Sequence, residues 1–359
     1  MARCLELAGH GRGYVAPNPM VGAVIVCGNR IIGEGYHRCY GEAHAEVNAI
    51  ASVRDDSLLR KSTLYVSLEP CSHYGKTPPC AELIIRKGIP RVVIACTDPY
   101  PEVAGRGIKM LREAGVEVVT GIMESEASEL NRFFMTAHKK RRPYIILKWA
   151  QSADGFIDRI RKDSLEKPFQ FSNTITRMMV HKLRSEVQSL IVGTNTAILD
   201  NPSLTVRFWK GRQPLRVLID RKLRVSEKSN HMNLFDGTQK TLVYTTEHNS
   251  KFLNKMNIEY VKMNNFGSFF QNILSDLYKR SVQSVLIEGG ACIHQCFIEE
   301  KLWDEMIIET TNDCLSDGIK SPVINGVVDA QLVDTYSVPK VQVSYVKPSV
   351  IRRYINGNI

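Results

Sequence analysis

The sequence predicts an α/β protein of two successive domains, and three observations carry that reading. Short apolar runs of strand length alternate with segments of helical periodicity along the chain. A basic, polar stretch at residues 137–143 (AHKKRRP) separates two such series. The 359 residues are enough for two domains, and 43% hydrophobic with 23% charged residues is the makeup of a globular protein, neither disordered nor fibrous.

In the first series, residues 21–26 and 31–35 flank Cys27-Gly28-Asn29-Arg30. The Gly-Asn pair is turn chemistry, so the two runs form a β-hairpin. Residues 45–53 carry apolar side chains at helical spacing, residues 64–68 form a strand, and residues 81–87 form a helix that stops at Gly88. A strand at 91–96, a helix at 107–114 closed by Gly115 and a strand at 116–120 complete the first domain, residues 1–143. The second domain, residues 144–359, has strands at 144–149, 189–192, 215–219, 241–245, 285–287 and 305–309, with helices near 175–186, 269–280 and 293–300. The run 139–142 is short and lacks interleaved aromatics, so the junction reads as a solvated linker rather than a nucleic-acid patch.

A net charge of +10 favours acidic partners, phosphorylated metabolites as readily as nucleic acid. The N-terminal Met1-Ala-Arg-Cys-Leu-Glu has no long apolar core behind its basic residue, and runs such as 21–26 are too short to span a bilayer. A cytoplasmic protein without a membrane partner is the expectation. Nine scattered cysteines point to reduced thiols rather than a disulfide framework. Most are small buried hydrophobes on this reading, and Cys292 with Cys296, one helical turn apart, serve helix packing. Cys71 and Cys80 differ.

His44-Ala45-Glu46 opens a predicted helix, and Pro70-Cys71 is followed by Cys80 nine positions on. One imidazole and two thiolates suit zinc, and three protein ligands leave a tetrahedral position for water, as a catalytic site requires. Glu46 is not a ligand; near the helix start it reaches the same cavity and serves as the base. His-x-Glu followed by Pro-Cys and a second Cys is the pattern of zinc-dependent deaminases, in which the ion activates water and the Glu shuttles protons. His73 competes as a ligand but ranks below Cys71, because it falls inside the loop.

The long insertion between the cysteines adds detail. With Pro17-Asn18-Pro19-Met20-Val21-Gly22 ahead of the His, LEPCSHYGKTPPC (residues 68–80) closely resembles the bifunctional riboflavin-biosynthesis deaminase/reductase family. The resemblance implies an N-terminal cytidine-deaminase-like three-layer domain and a diaminopyrimidinone substrate carrying phosphoribosylamine. It also implies that Asn18, His37 and Lys76 line the pyrimidine and phosphate pocket. Asp98-Pro99-Tyr100-Pro101 departs from the family's Asp-Pro-Asn-Pro, so the amide contact at position 100 is lost.

In the second domain, KWAQSADG (148–155), GTNTAILDNPSLTVR (193–207) and IEGGACIHQ (287–295) resemble the reductase half of the same family. Glu288-Gly289-Gly290 follows a strand and opens a helix, where backbone N–H groups can hold an anion, while no Gly-x-Gly-x-x-Gly appears in that segment. Residues 193–196 read as a turn. The resemblance implies a dihydrofolate-reductase-like α/β fold that uses NADPH and delivers hydride to C1′ of the ribosylamino group. Gln151, Thr196, Asp200 and the turn at Gly290 would then contact the cofactor, and Arg184, Leu204, Arg207 and Glu288 the substrate. Lys148 and Asp200 are the ionisable groups for steering or protonating the opened sugar. Pro168 stands where a hydroxyl residue would meet substrate, and Arg221, in the main a solvated arginine, has the cofactor's 2′-phosphate as its other role.

The expected partner is therefore a phosphorylated pyrimidine, without nucleic acid, and the sequence leaves a homo-oligomer open. A tRNA or nucleic-acid base deaminase with a basic accessory domain would explain the zinc pattern and the charge, but not the motifs of the second domain. A non-catalytic zinc module would need a fourth ligand, for which His73 is the local candidate.

Overall fold

In the computed structural model, Gly28 and Asn29 both adopt positive φ, 54° and 62°, and turn strand β1 (Gly22–Cys27) back into β2 (Arg30–Tyr36) with Cys27 opposite Arg30. The structure describes residues 1–74, 78–100, 104–247, 257–264, 267–324, 330–338 and 348–357, with the backbone alone at 228–230 and 338. The chain divides into two units, Met1–Arg142 and Pro143–Ile359. Among the described residues no helix is long and apolar enough to cross a membrane.

The first unit's sheet has the order β2-β1-β3-β4-β5. Strand β3 (Thr63–Leu68) runs antiparallel to β1, whereas β4 (Arg91–Cys96) and β5 (Glu117–Thr120) run parallel to β3. Alternation along these strands sorts the core into two faces. Ala23, Ile25, Leu64, Val66, Val92 and Ile94 meet α2 (Ala45–Ala51), α3 (Cys80–Arg86) and α4 (Arg106–Glu113). Val24 on the opposite face meets α1 (Ala2–Gly9), and at the strand ends, beyond the reach of that alternation, Leu68, Ala95 and Cys96 cluster with α5 (Glu124–Leu130) and α6 (Arg132–Lys140). The result is the three-layer arrangement.

The second unit is built on a nine-stranded sheet. Strands β6 (Tyr144–Gln151), β8 (Ser189–Gly193), β9 (Leu215–Ile219), β10 (Thr241–Thr245), β11 (Ile258–Lys262), β12 (Ser284–Ile287) and β13 (Glu305–Thr311) are parallel in the order β11-β10-β9-β8-β12-β6-β13. Two antiparallel strands, β16 (Ser349–Asn356) and β15 (Ala330–Val338), extend the β13 edge, and β7 (Phe156–Asp158) pairs separately with β14 (Ile319–Lys320). Helices α7 (Thr174–Glu186), α8 (Thr194–Asp200), α9 (Phe269–Lys279) and α10 (Ala291–Glu299) connect the strands, and Trp303 and Phe297 anchor the main core. A fully buried side chain of this kind contributes about 1.5–3 kcal/mol.

Two expectations need correction. The run 139–142 is not a linker: Lys139 and Lys140 finish α6, and Arg141 ends the helix in the left-handed conformation at φ 53°. The basic residues there are the solvated side of a helix end, which suits cations. Residues 194–196 are not a turn either; they open α8, which closes at Asn201 with φ 42°. Helices α1, α5 and α8 and strands β7, β11, β14, β15 and β16 carried too weak a period to be read.

Helix α2 lies so close to β2 that a Cβ on Gly35 would sit 2.3 Å from the Ala49 nitrogen and 2.6 Å from the Ala45 oxygen. Gly35→Ala should therefore cost about 1–3 kcal/mol in urea unfolding. Wild-type stability in that variant would refute the close approach.

Candidate functional site

The tight seating of α2 fixes His44, which caps the helix with an extended backbone, and Glu46 in its first turn. Cys71 follows the end of β3, and Cys80 is the first residue of α3, whose backbone N–H donates to the Cys71 sulfur at 3.3 Å. His44 Nδ1 lies 3.6 Å from Cys71 Sγ and 3.4 Å from Cys80 Sγ. Zinc bound tetrahedrally to one imidazole and two sulfurs would put nitrogen and sulfur about 3.5 Å apart, so the donor set fits that ion. Among the described residues this trio is the group that could hold a metal, and His73 is not part of it.

Glu46 is almost wholly buried beside the trio, and burial, with the nearby Cys71 sulfur, pushes its carboxyl up to about 7. His37 is buried too. Its Nδ1 donates to the Ala43 carbonyl at 3.1 Å, which leaves Nε2 to accept from Asn18 Nδ2 at 3.1 Å, and its ring meets His44 edge-on at 5.5 Å. Burial lowers its pKa, so the neutral ring is favoured. The structure thus brings Asn18, His37, His44, Glu46, Cys71 and Cys80 together; Lys76 lies outside the described residues. Tyr100 packs edge-on against His138 at 5.2 Å, and burial raises the carboxyl of Asp98 to about 6.

Two residues that the sequence did not reveal hold this site in place. Asn48 Nδ2 donates to the carbonyls of Tyr36 and Ala43, bracketing the loop between His37 and His44. The buried Glu69 carboxylate accepts four backbone N–H bonds, from Asp98, Gly105, Gly107 and Ile108, and so ties the segment before Cys71 to the start of α4. Such contacts span about 30 to 40 positions and leave no local signature.

In the second unit the carboxyl ends of the parallel strands open on a cavity of about 860 Å³, the usual place for a ligand in such a sheet. Lys148, Arg184, Thr196, Asp200, Glu288 and Gly290 all line it. Arg184 grips Glu288 in a bidentate pair at 2.8 and 2.6 Å and donates to the Thr205 carbonyl. Burial opposes the charge on Glu288, yet Arg184 and Lys148 hold its carboxyl below the usual range. Asp200 is paired with Arg161, which also binds Asp158 at 2.7 Å. Gly289 is required by contact, since a Cβ there would stand 2.9 Å from the Thr196 methyl, and Gly290 caps α10 at φ 77°.

Three sequence candidates are not among the lining residues. Gln151 accepts from the Trp149 indole at 2.8 Å, Leu204 is buried at φ 47°, and Arg207 is exposed with its guanidinium on Thr205 Oγ1. Arg221 does line the cavity, stacked over Phe269 at 4.8 Å, with Lys222 and Arg224 beside it. Cys292 and Cys296 are corrected: they face the cavity, and Cys292 is exposed, so they are not packing residues. The sequence also missed Ser172, whose hydroxyl donates to Glu309 at 2.6 Å.

Fold and sites define a zinc-dependent deaminase joined to a reductase. The model of the cytidine and deoxycytidylate deaminase zinc-binding region matches residues 1–96, and that of the RibD C-terminal domain matches residues 143–310. The riboflavin biosynthesis protein RibD of Bacillus amyloliquefaciens is 38% identical over 355 residues, covering 98% of this chain and 94% of its own. That of Aquifex aeolicus is 38% identical over 322 residues, 89% of this chain and 88% of its own. A diaminohydroxyphosphoribosylaminopyrimidine deaminase/5-amino-6-(5-phosphoribosylamino)uracil reductase from Thermotoga maritima superposes with a TM-score of 0.86 at 34% identity, over 99% of this chain and 97% of that one. The chain belongs to the RibD family, the bifunctional deaminase/reductases of riboflavin biosynthesis. A nucleic-acid deaminase with a basic accessory domain is not favoured.

Cys80→Ala leaves two of the three donors. In chelator competition its zinc affinity should fall by at least about 100-fold. Parental affinity would remove Cys80 from the ligand set.

Proposed function

We propose that the first unit deaminates 2,5-diamino-6-(5-phosphoribosylamino)pyrimidin-4(3H)-one at the ring and that the second reduces the ribosyl chain of the product to ribityl with NADPH. The observation that carries the reading is the meeting of His44, Cys71 and Cys80 beside a buried Glu46. A zinc ion held there supplies the Lewis acidity that ionises water near neutral pH. Glu46 receives a proton from the attacking water and returns it to the departing amine, which leaves as ammonia. Asn18 and the neutral His37 orient the pyrimidine, and Lys76 meets the phosphate.

In the second unit a nicotinamide cofactor held in the cleft would supply the hydride for C1′. Thr196, Asp200 and Gly290 hold the cofactor, and Gln151 acts through Trp149. Arg184 and Glu288 face the substrate, and the segment carrying Leu204 and Arg207 enters through the Thr205 carbonyl on Arg184. Lys148 and Asp200 handle the proton of the opened sugar. The choice of NADPH over NADH is supported by Arg221, Lys222 and Arg224 on the cleft wall, which suit the dianionic 2′-phosphate.

Two substitutions test this reading. Glu46→Gln should lower ammonia release by about 100-fold or more while zinc stays bound and NADPH is still oxidised on the deaminated substrate. Ammonia release at the parental rate would overturn the role of Glu46. Arg221→Ala should raise KM for NADPH about 10-fold and leave KM for NADH unchanged. An equal change for both dinucleotides would remove the 2′-phosphate contact.

A further inference from the structure

The reductase cleft has a buried carboxylate behind its wall that the proposed reaction does not yet use. Strand β13 runs parallel to β6 with Ile307 opposite Lys148, so Glu309, two positions on, presents its side chain on the same face as that lysine. Glu309 is 1% exposed. Its Oε2 lies 4.0 Å from Lys148 Nζ and accepts the Ser172 hydroxyl at 2.6 Å, while Oε1 has no hydrogen-bond partner among the described residues. A buried ion pair with one oxygen unmet is a poor stabilising device, since well-packed apolar side chains do as well or better. Its placement behind a cleft-lining lysine points instead to control of that lysine.

We propose that Glu309 is a positioning residue of the reductase: its carboxylate, pinned by Ser172, keeps the Lys148 ammonium charged and fixed at the cleft wall as the proton donor of the reduction. The inference rests on the reading of Lys148 given above. As hydride reaches C1′, the C1′–O4′ bond breaks and its electron pair goes to O4′. The Lys148 proton goes to that oxygen and makes the ribityl hydroxyl, and solvent reprotonates the amine. The groups facing Lys148 are Glu309 from β13, Glu288 after β12, Arg184 from α7 and His294 from α10. Burial pushes the ammonium pKa down, Glu309 and then Glu288 push it back up, and Arg184 lowers it. Buried His294 has its pKa brought down to about 4, so it adds no charge near neutral pH. An anion at this range raises a cationic partner's pKa by about one to three units.

The test is Glu309→Gln in the full chain, with two readouts. A donor lysine is active below its pKa and fails as pH rises through it, so losing the anion moves the alkaline limb of reductase kcat to lower pH by about one unit or more, with KM for the pyrimidine held within about 2-fold. Without cofactor or substrate, acetylation of Lys148 by acetic anhydride, followed by peptide mass spectrometry, should shift its pH midpoint in the same direction. Retained NADPH binding, read by quenching of protein fluorescence, reports folding of the second unit. If Glu309→Gln fails to fold, Glu309→Asp, which draws the charge back from the ammonium, should shift both readouts the same way by less. Unmoved limb and midpoint overturn the proposal. Lys148→Met separates the two layers: intact reduction in that variant overturns the lysine reading itself, whereas lost reduction with an unmoved Glu309→Gln limb overturns only the role of Glu309.

Discussion

Three donors with a single focus are the constraint on which the first unit depends. An imidazole at a helix cap, a thiol beyond a strand and a thiol at the next helix start must meet within a few ångströms, although 27 and 36 positions separate His44 from the two cysteines. No local preference achieves that. Gly35 lets α2 press on β2, Asn48 ties the loop before the helix, and Glu69 gathers four backbone amides beside Cys71. Without a metal, the trio is a cluster of protons in conflict. The Cys71 thiol is drawn down, chiefly by its hydrogen bond with Cys80, whose own thiol is pushed up. A divalent cation resolves that conflict by replacing the protons.

The second unit solves a different problem with the same economy of means. A parallel sheet brings the ends of β6, β8 and β12 to one place, and the cleft there collects charge that could not be buried singly: Arg184 with Glu288, Arg161 with Asp200, and Lys148 with Glu309. Each pair sets an orientation as well as a charge. Arg221, Lys222 and Arg224 stand elsewhere on the wall, outside these pairs.

Much of this was legible in the residues. Gly28-Asn29 dictates a hairpin because a turn with both φ positive matches the twist of the strands, and it is found. The meeting of His44, Cys71 and Cys80 was legible because ligand chemistry restricts residue type so strongly, and the place of Glu46 because it lies two residues beyond His44 at a helix start. Glu69 and Glu309 were not, since a carboxylate in a strand-end sequence looks solvated until distant segments close over it. Residues 139–140 were misread because the period of a helix end was masked by its lysines, and α8 because Asn195 and Asp200 resemble turn residues. Cys292 was misread for a simpler reason: helical spacing tells which residues share a face but not whether that face meets a core or a cleft.

The central claim is that zinc in this chain has one nitrogen and two sulfur neighbours from protein and a fourth corner left to solvent. Zinc K-edge absorption fine structure on the purified, metal-replete protein measures this directly. The account predicts two sulfurs at about 2.3 Å, one imidazole and one further light atom without the outer-ring scattering of a second imidazole. A second imidazole or a third sulfur in the zinc shell would close the corner and contradict it.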